Sequence, residues 1–318
     1  LNIGYWSLIL KALAKMAELA GKQYLDPKVL NQIQHLEMTA RNVVEGFISG
    51  MHKSPYKGFS VEFKQHREYV PGDDLRYLDW KAYGKSDKYY IKEYEEETNF
   101  RALLVVDTSE SMRYQSGDTP SKLDYAKVMA ASLAYLIQRQ SDAAGLALFD
   151  EHVYDYVPSS TSQTTLMRML ATMNMHPPAK KTNVGEVLHD VAQRAGRRSL
   201  VIVISDLFDD IKHLKTGLEH LRARRHDVIV FNVMDEQELN FNFDRLTEFR
   251  GLEGYPKLLV DPRSLRQAYL EEVANFTNET RRHCLRNHTD FVQVNTKTPM
   301  APILEAYLAR RMGSRTSG

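Results

Sequence analysis

The sequence predicts an α/β fold: a doubly wound, mostly parallel sheet flanked by helices, preceded by a small N-terminal segment of helix and β strands. Three observations carry this expectation. Residues 102–106, 144–149, 200–205 and 228–234 are short, predominantly apolar runs, too short for helices and patterned like strands buried on both faces. The segments between them place apolar residues at helical spacing, and strand–helix alternation builds a parallel sheet with right-handed crossovers. Two of the runs end abruptly in hydroxyl and carboxylate side chains, at the strand ends where open α/β sheets place ligands.

Composition sets the outer bounds. The 318 residues are 43% hydrophobic and 26% charged, an ordinary globular balance, and the length corresponds to roughly two domains. The net charge of +1 gives no global attraction to nucleic acid or anionic membrane. A single cysteine, Cys284, rules out a disulfide framework within the chain and a cysteine-based zinc site. That usage fits a reducing compartment, and a cytoplasmic location is expected, with peripheral membrane contact left open.

Taken in order, residues 1–24 are expected to be an amphipathic helix. Trp6, Ile9, Leu10, Leu13 and Ala17 follow helical spacing, and Lys11 and Lys15 interrupt a run too short to span a bilayer. A helix docked on the body and a membrane-surface or partner-binding helix both fit. Residues 25–99 form the N-terminal segment. Asp26 and Pro27 open a helix whose apolar positions are Ile33, Leu36, Ala40, Val43, Val44 and Phe47. Phe59, Val61 and Phe63 alternate with polar residues, as in a strand. Residues 88–97 alternate again and suggest a strand entering the main sheet, with Glu95 to Glu97 on a solvated face.

The α/β domain is expected over residues 100–311. Helix 121–140 turns Leu123, Ala126, Ala130, Leu133 and Ile137 to one side. Residues 153–157 alternate and suit an antiparallel edge strand. In helix 162–175, Met167, Met169, Met173 and Met175 read as core filler. A helix after Asn183 buries Val187, Leu188 and Val191, and helix 211–225 buries Leu214, Leu218 and Leu221. Residues 235–260 are irregular, with a hairpin around 251–255. Helix 264–287 carries Leu265, Tyr269, Val273 and Phe276, ends basic in Arg281, Arg282 and Arg286, and holds a structural Cys284. A last strand at 291–294, a terminal helix at 301–311 and a disordered tail at 312–318 complete the expectation.

The candidate site lies at the strand ends. Asp107, Ser109 and Ser111 alternate directly after the first buried strand, so an extended turn points them the same way. One carboxylate and two hydroxyls form a hard-oxygen set that suits a divalent cation, Mg²⁺ foremost, with Mn²⁺ and Ca²⁺ as alternatives. The competing reading is a helix N-cap, which uses the same residue types. Thr182 opens a later helix and Asp206 follows the strand 200–205; alone, each is equally well an N-cap and the start of a turn. In a doubly wound sheet all three segments converge on one crevice.

These residues, Asp107-x-Ser109-x-Ser111 with a later Thr182 and a later Ser205-Asp206, resemble the metal-ion-dependent adhesion site of von Willebrand factor A domains. The resemblance implies Ser109, Ser111 and Thr182 as direct or near-direct ligands, Asp107 and Asp206 acting largely through water, and an open position for an Asp or Glu from a partner protein. Upstream, Gly58-Phe59-Ser60-Val61-Glu62-Phe63, then Arg67 through Arg76 and Asp79-Trp80, is similar to the signature of the bacterial domain-of-unknown-function-58 family. That resemblance implies a non-enzymatic adaptor working with a MoxR-type AAA+ ATPase in the maturation or remodelling of other proteins. On charge alone, Arg67, Asp73, Asp74, Arg76 and Asp79 suit either a network pinning this segment to the α/β domain or a partner-binding surface.

Two other function classes have less support. A metal-dependent hydrolase or phosphoryl-transfer enzyme needs a base or nucleophile beside the metal. The sequence shows no Gly-rich phosphate loop, no G-x-S-x-G elbow and no H-E-x-x-H, and Glu110 is the only nearby base candidate. A nucleic-acid binder would need a basic face, and the arginines at 194–198, 222–225 and 281–286 read as helix C-terminal charge; no nucleic-acid partner is expected.

Overall fold

The computed structural model describes residues 27–51, 66–68, 89–92, 100–175, 182–196, 198–243, 245, 247–249 and 258–307. The expectations for residues 1–24, for the Arg/Asp-rich stretch 69–88, for Glu95 to Glu97 and for the tail lie outside the described residues. Contacts divide the chain into two units, Ser49–Asn99 and the remainder.

In the smaller unit, β1 (His66–Glu68) pairs antiparallel with β2 (Tyr90–Lys92), Arg67 opposite Ile91. This corrects the expected entry of residues 88–97 into the main sheet. The reason is in the pattern itself: alternation marks a strand with one wet face, which suits a two-stranded ribbon, whereas the main sheet takes strands that are apolar on both faces.

The larger unit holds α1 (Pro27–Met51), whose Ile33, Leu36, Ala40, Val44 and Phe47 are buried. The Arg41 guanidinium lies 5.8 Å from the ring centre of Tyr135, so the helix grouped by sequence with the N-terminal segment packs instead on the α/β domain. The domain then runs through β3 (Arg101–Asp107), a 3₁₀ turn (Glu110–Arg113), α2 (Lys122–Arg139), β4 (Ala143–Phe149), β5 (Val153–Ser160) and α3 (Gln163–Met175). It continues with α4 (Val184–Arg194), β6 (Leu200–Ser205), α5 (Ile211–Ala223), β7 (Asp227–Met234), α6 (Glu236–Asn240), β8 (Thr247–Phe249), β9 (Leu258–Val260), α7 (Pro262–Arg286) and β10 (Asp290–Asn295). Residues 301–307 are again helical.

Six strands form one sheet in the order β10-β7-β6-β3-β4-β5, all parallel except the edge strand β5. Counted along the chain, that is a 3-2-1-4-5-6 order, which reverses between β3 and β6. β3 is central, with Val105 opposite Ala147 on one side and Val203 on the other. One face of the sheet (Leu103, Val105, Val201, Val203, Val230) packs on Val187, Leu188 and Val191 of α4, Leu214, Leu218 and Leu221 of α5, and Cys284 of α7. The other face is covered by α2, whose Ala126, Met129, Ala130, Leu133 and Ile137 are fully buried. Met167, Met169 and Met173 are buried as expected, and burial pushes the Cys284 thiol up to about 12, leaving it a small core hydrophobe.

The buried positions of α7 fall mainly in its C-terminal half. Leu265, Tyr269, Val273 and Phe276 are half-buried, and the buried positions are Pro262, Thr277, Thr280 and Cys284. The cause is length. At 1.5 Å per residue α7 spans about 37 Å, whereas β10 covers about 20 Å, so the first turns of α7 run past the sheet. There they meet the β7–α7 excursion, where Phe241 lies 4.3 Å from Tyr269 and stacks on Phe249 at 5.6 Å. The antiparallel pair β8–β9 within this excursion matches the expected hairpin. Among the described residues, no helix is long and apolar enough to cross a membrane.

α4 and α5 approach closely at two glycines. A Cβ on Gly185 would sit 2.6 Å from the His213 carbonyl oxygen, and one on Gly217 would sit 2.7 Å from Leu188 Cβ. Gly185→Ala is therefore expected to cost about 1–3 kcal/mol in chemical denaturation, because backbone must shift. Gly46→Ala on α1, with nothing within 4 Å, is expected to gain about 0.5–1 kcal/mol from helix propensity.

Candidate functional site

The order reversal places the carboxyl ends of β3 and β6 side by side. Asp107 ends β3 and Ser205-Asp206 ends β6, and all three are fully buried. Asp107 Oδ1 accepts a hydrogen bond from the Ser109 backbone N–H at 2.9 Å, and Oδ2 accepts from Ser205 Oγ at 2.5 Å and from Thr182 Oγ1 at 3.4 Å. Ser109 Oγ and Ser111 Oγ lie 3.1 Å apart. The structure thus brings Asp107, Ser109, Ser111 and Thr182 into one connected oxygen cluster.

Two local facts bear on the capping alternative. Ser109 occupies the N-cap of the 3₁₀ turn, yet its side chain makes no cap hydrogen bond. α4 is capped by Asn183, which accepts from the Glu186 N–H at 3.2 Å, so Thr182 is free of that duty and turns to Asp107. Its position is set by two ties: the Asn183 N–H donates to the Asp150 carbonyl at 3.3 Å, and the Val184 N–H donates to Asp209 Oδ2 at 2.8 Å. Thr108 anchors the turn from below by donating to the Phe149 carbonyl at 2.8 Å.

Asp206 is the fifth expected residue, and it does begin a turn, accepting from the Phe208 N–H at 3.3 Å. The next residue, Leu207, has φ of +62° and is buried. A leucine in the left-handed region carries strain. The turn holds it there while the Leu207 N–H donates to Ser205 Oγ at 2.9 Å, aiming that hydroxyl's proton at Asp107.

Sequence reasoning missed the partner of Asp206. Lys122 Nζ, wholly buried, donates to Asp206 Oδ2 at 2.8 Å and to Glu238 Oε1 at 2.7 Å, and it lies 5.0 Å from the Phe208 ring centre. One signal was present. Lys122 is the first residue of α2, directly after the Ser121 N-cap, where a cation opposes the helix dipole. Glu238 also forms half of a capping box with Asp235, whose N–H donates to Glu238 Oε2 at 2.8 Å. Asp235 in turn holds the loop before α2, accepting from Ser116 Oγ at 2.5 Å and Thr119 Oγ1 at 3.2 Å.

The electrostatics are lopsided. Burial first, and the nearby Asp206 carboxylate second, push the Asp107 carboxyl up to about 7, against the hydrogen bonds from Ser205 and Ser109. Burial works against the charged form of Lys122, but its two carboxylates outweigh this and hold the amine above its ordinary range. Burial also raises Glu238 despite the attraction of Lys122. Lys122 is thus shared by two carboxylates, Asp206 and Glu238, and among the described residues no cationic side chain pairs with Asp107. Two carboxylates and three hydroxyls, short of positive charge, are a donor set that fits a hard divalent cation.

Comparison with known proteins agrees with the family suggested by the sequence. The family described as protein of unknown function DUF58 matches residues 65–279. Uncharacterized proteins of Mycobacterium bovis and Mycobacterium tuberculosis are 26% identical over 219 residues, covering 67% of this chain and 68% of theirs. Among solved structures, an aerotolerance-related membrane protein from Bacteroides fragilis is similar at 15% identity and a TM-score of 0.45, over 66% of this chain and 99% of that one. BatB from Bacteroides thetaiotaomicron is similar at 16% identity and a TM-score of 0.41, over 66% and 98%. The VWA domain of SpRpn10 is similar at 12% identity and a TM-score of 0.38, over 65% and 94%.

Proposed function

The chain belongs to the DUF58 family, and from that premise we propose that it is a non-enzymatic protein-interaction module that works through a bound divalent cation. The supporting observation is the convergence of Asp107, Ser109, Ser111 and Thr182 on one oxygen cluster whose central, buried carboxylate has no counter-charge among the described residues. Mg²⁺ is the cation of choice, since hydroxyls and carboxylates at the mouth of a rigid sheet suit a small, hard ion that keeps some of its water. Asp206 stands behind the cluster, its charge shared with Lys122. A carboxylate from a partner protein then completes the coordination and brings in the negative charge that Lys122 withholds.

The partner class follows from the family resemblance: a MoxR-type AAA+ ATPase, with this chain as its adaptor in the maturation or remodelling of other proteins, in the cytoplasm. The non-enzymatic reading is supported by the occupation of the polar groups. Asp206 and Glu238 are tied to Lys122, and the Ser205 hydroxyl is committed to Asp107.

Calorimetric titration of Mg²⁺ and Mn²⁺ into chelator-stripped protein tests the site. One saturable event is expected, weakened at least about tenfold in Thr182→Ala and in Ser111→Ala, the loss of one good oxygen ligand being worth about 1.4 kcal/mol or more. Both hydroxyls lie at the rim, so these variants leave the Lys122–Asp206 pair intact, which Asp206→Ala would not. Equal binding in the variants, or no heat at millimolar cation, would sink the site. Where binding holds, pull-downs with and without chelator test the partner.

A further inference from the structure

The edge of the sheet opposite the oxygen cluster, where β6, β7 and β10 begin, gathers charge that the sequence spreads over a long stretch. α5 ends in Arg222, followed by Arg224 and Arg225 in the turn into β7. α7 ends in Arg281, Arg282 and Arg286 before β10. Because β7 and β10 are neighbours, the two helix ends meet: Arg222 Nη1 donates to the Arg286 carbonyl at 3.1 Å. All six arginines are exposed, and none makes an ion pair with a described residue. The whole-chain net charge is only +1, so this is a local concentration of cations, with Asp227 and Asp290 at the starts of β7 and β10 beside it.

Three features go beyond helix-dipole stabilisation, the simpler account of such charge. Arg224 and Arg225 follow α5 rather than lie in its last turn. Arg225 has φ of +61°, a conformation that favours glycine, so a guanidinium is kept there against the backbone preference. Leu285, between Arg282 and Arg286, is 64% exposed, one of four large hydrophobic side chains so exposed among the described residues. The cations are all guanidiniums, which bind phosphate bidentately, and Arg281, Arg282 and Arg286 share the last turns of α7 with the exposed Leu285. Guanidiniums flanking an apolar side chain on helix ends and turns match an interfacial surface, where cations meet phosphate and the apolar group enters the headgroup boundary.

We propose that this arginine-rich pole docks the protein on an anionic phospholipid bilayer, with Leu285 entering the interface. The oxygen cluster then faces away from the membrane, open to partners in solution.

The test is sedimentation of the full chain with vesicles of phosphatidylcholine alone, and of phosphatidylcholine with about one third phosphatidylglycerol, at low salt. Binding is expected to the anionic vesicles only, and to fall at least about tenfold when salt is raised to about 0.3 M. Arg224→Glu/Arg225→Glu/Arg282→Glu is expected to abolish it, and Leu285→Ser to weaken it about threefold to tenfold. All four positions are exposed, and unchanged thermal melts would show the fold intact. Equal binding to neutral vesicles, salt-insensitive binding, a triple variant that sediments like wild type, or binding to short duplex DNA without binding to vesicles would each overturn the proposal. Chelator leaves the expected result unchanged, so this test is separate from that of the cation site.

Discussion

Replacing Lys122 by methionine is expected to lower the stability of the fold by about 3–5 kcal/mol, the usual cost of removing one partner from a buried ion pair. Lys122 and Asp206 are both wholly buried, and the ammonium touches two carboxylates on two separate elements. Methionine fills much of the same volume, so the loss measures stranded charge rather than a cavity. Lys122→Met/Glu238→Gln is expected to recover part of the loss, because one stranded carboxylate is then gone, and the cycle reports the coupling directly. Millimolar Mg²⁺ is expected to restore more stability to Lys122→Met than it adds to wild type, since the unneutralised Asp206 strengthens the site's attraction for a cation. Urea denaturation with and without Mg²⁺ reads all three. A loss under about 1 kcal/mol would mean that Lys122 does not neutralise Asp206.

Asp107→Asn is expected to abolish cation binding and, at the same time, to stabilise the metal-free protein at neutral and higher pH. The Asp107 carboxyl is raised from 3.8 to about 7 in the fold, mainly by burial. Between those values the folded state holds a proton that the unfolded state has released. Stability of the metal-free protein therefore falls as pH rises from about 4 to about 7 and levels off above, the opposite sense to a carboxylate held low by an ion pair. The amide carries no charge to desolvate. It keeps an oxygen for the Ser109 N–H and offers a donor to Ser205 Oγ. At pH 8 the gain is on the order of 4 kcal/mol, at about 1.4 kcal/mol per pKa unit. Cation binding to wild type competes with the proton, so the Mg²⁺-induced rise in melting temperature is expected to grow from pH 5 to pH 7 and then level off. Melting curves over pH 5–8 with and without Mg²⁺ test both statements. An Asp107→Asn protein less stable than wild type at pH 8 would show that the carboxylate is not strained by burial.

Much of this was legible before folding because it is written locally. Val105 and Val203 sit in runs with no polar residue, which only a doubly covered strand accommodates, and the order of the runs implies a sheet whose loaded ends converge. The D-x-S-x-S turn could be read because its spacing is short. What failed or stayed open had rivals that were equally local. Ser109, Thr182 and Asp206 look the same as caps, turns or ligands, and only the fold shows that Asn183 caps α4, that Ser109 makes no cap bond and that Asp206 begins a turn. β2 was assigned to the wrong sheet because alternation specifies a half-wet strand without naming its neighbour.

The sequence by itself therefore determined the layered α/β architecture, the strand ends that carry oxygen and the family. Hydrophobic periodicity acts over a few residues, and every copy of the pattern must obey it. The tertiary structure alone decided how charge is shared. Lys122 finds Asp206 and Glu238 at sequence separations of 84 and 116, and arginines from two helix ends meet at one pole. A charge can pair with any opposite charge along the chain. Which partner it takes is settled by the desolvation that packing imposes, and that exists only once the sheet and helices are assembled.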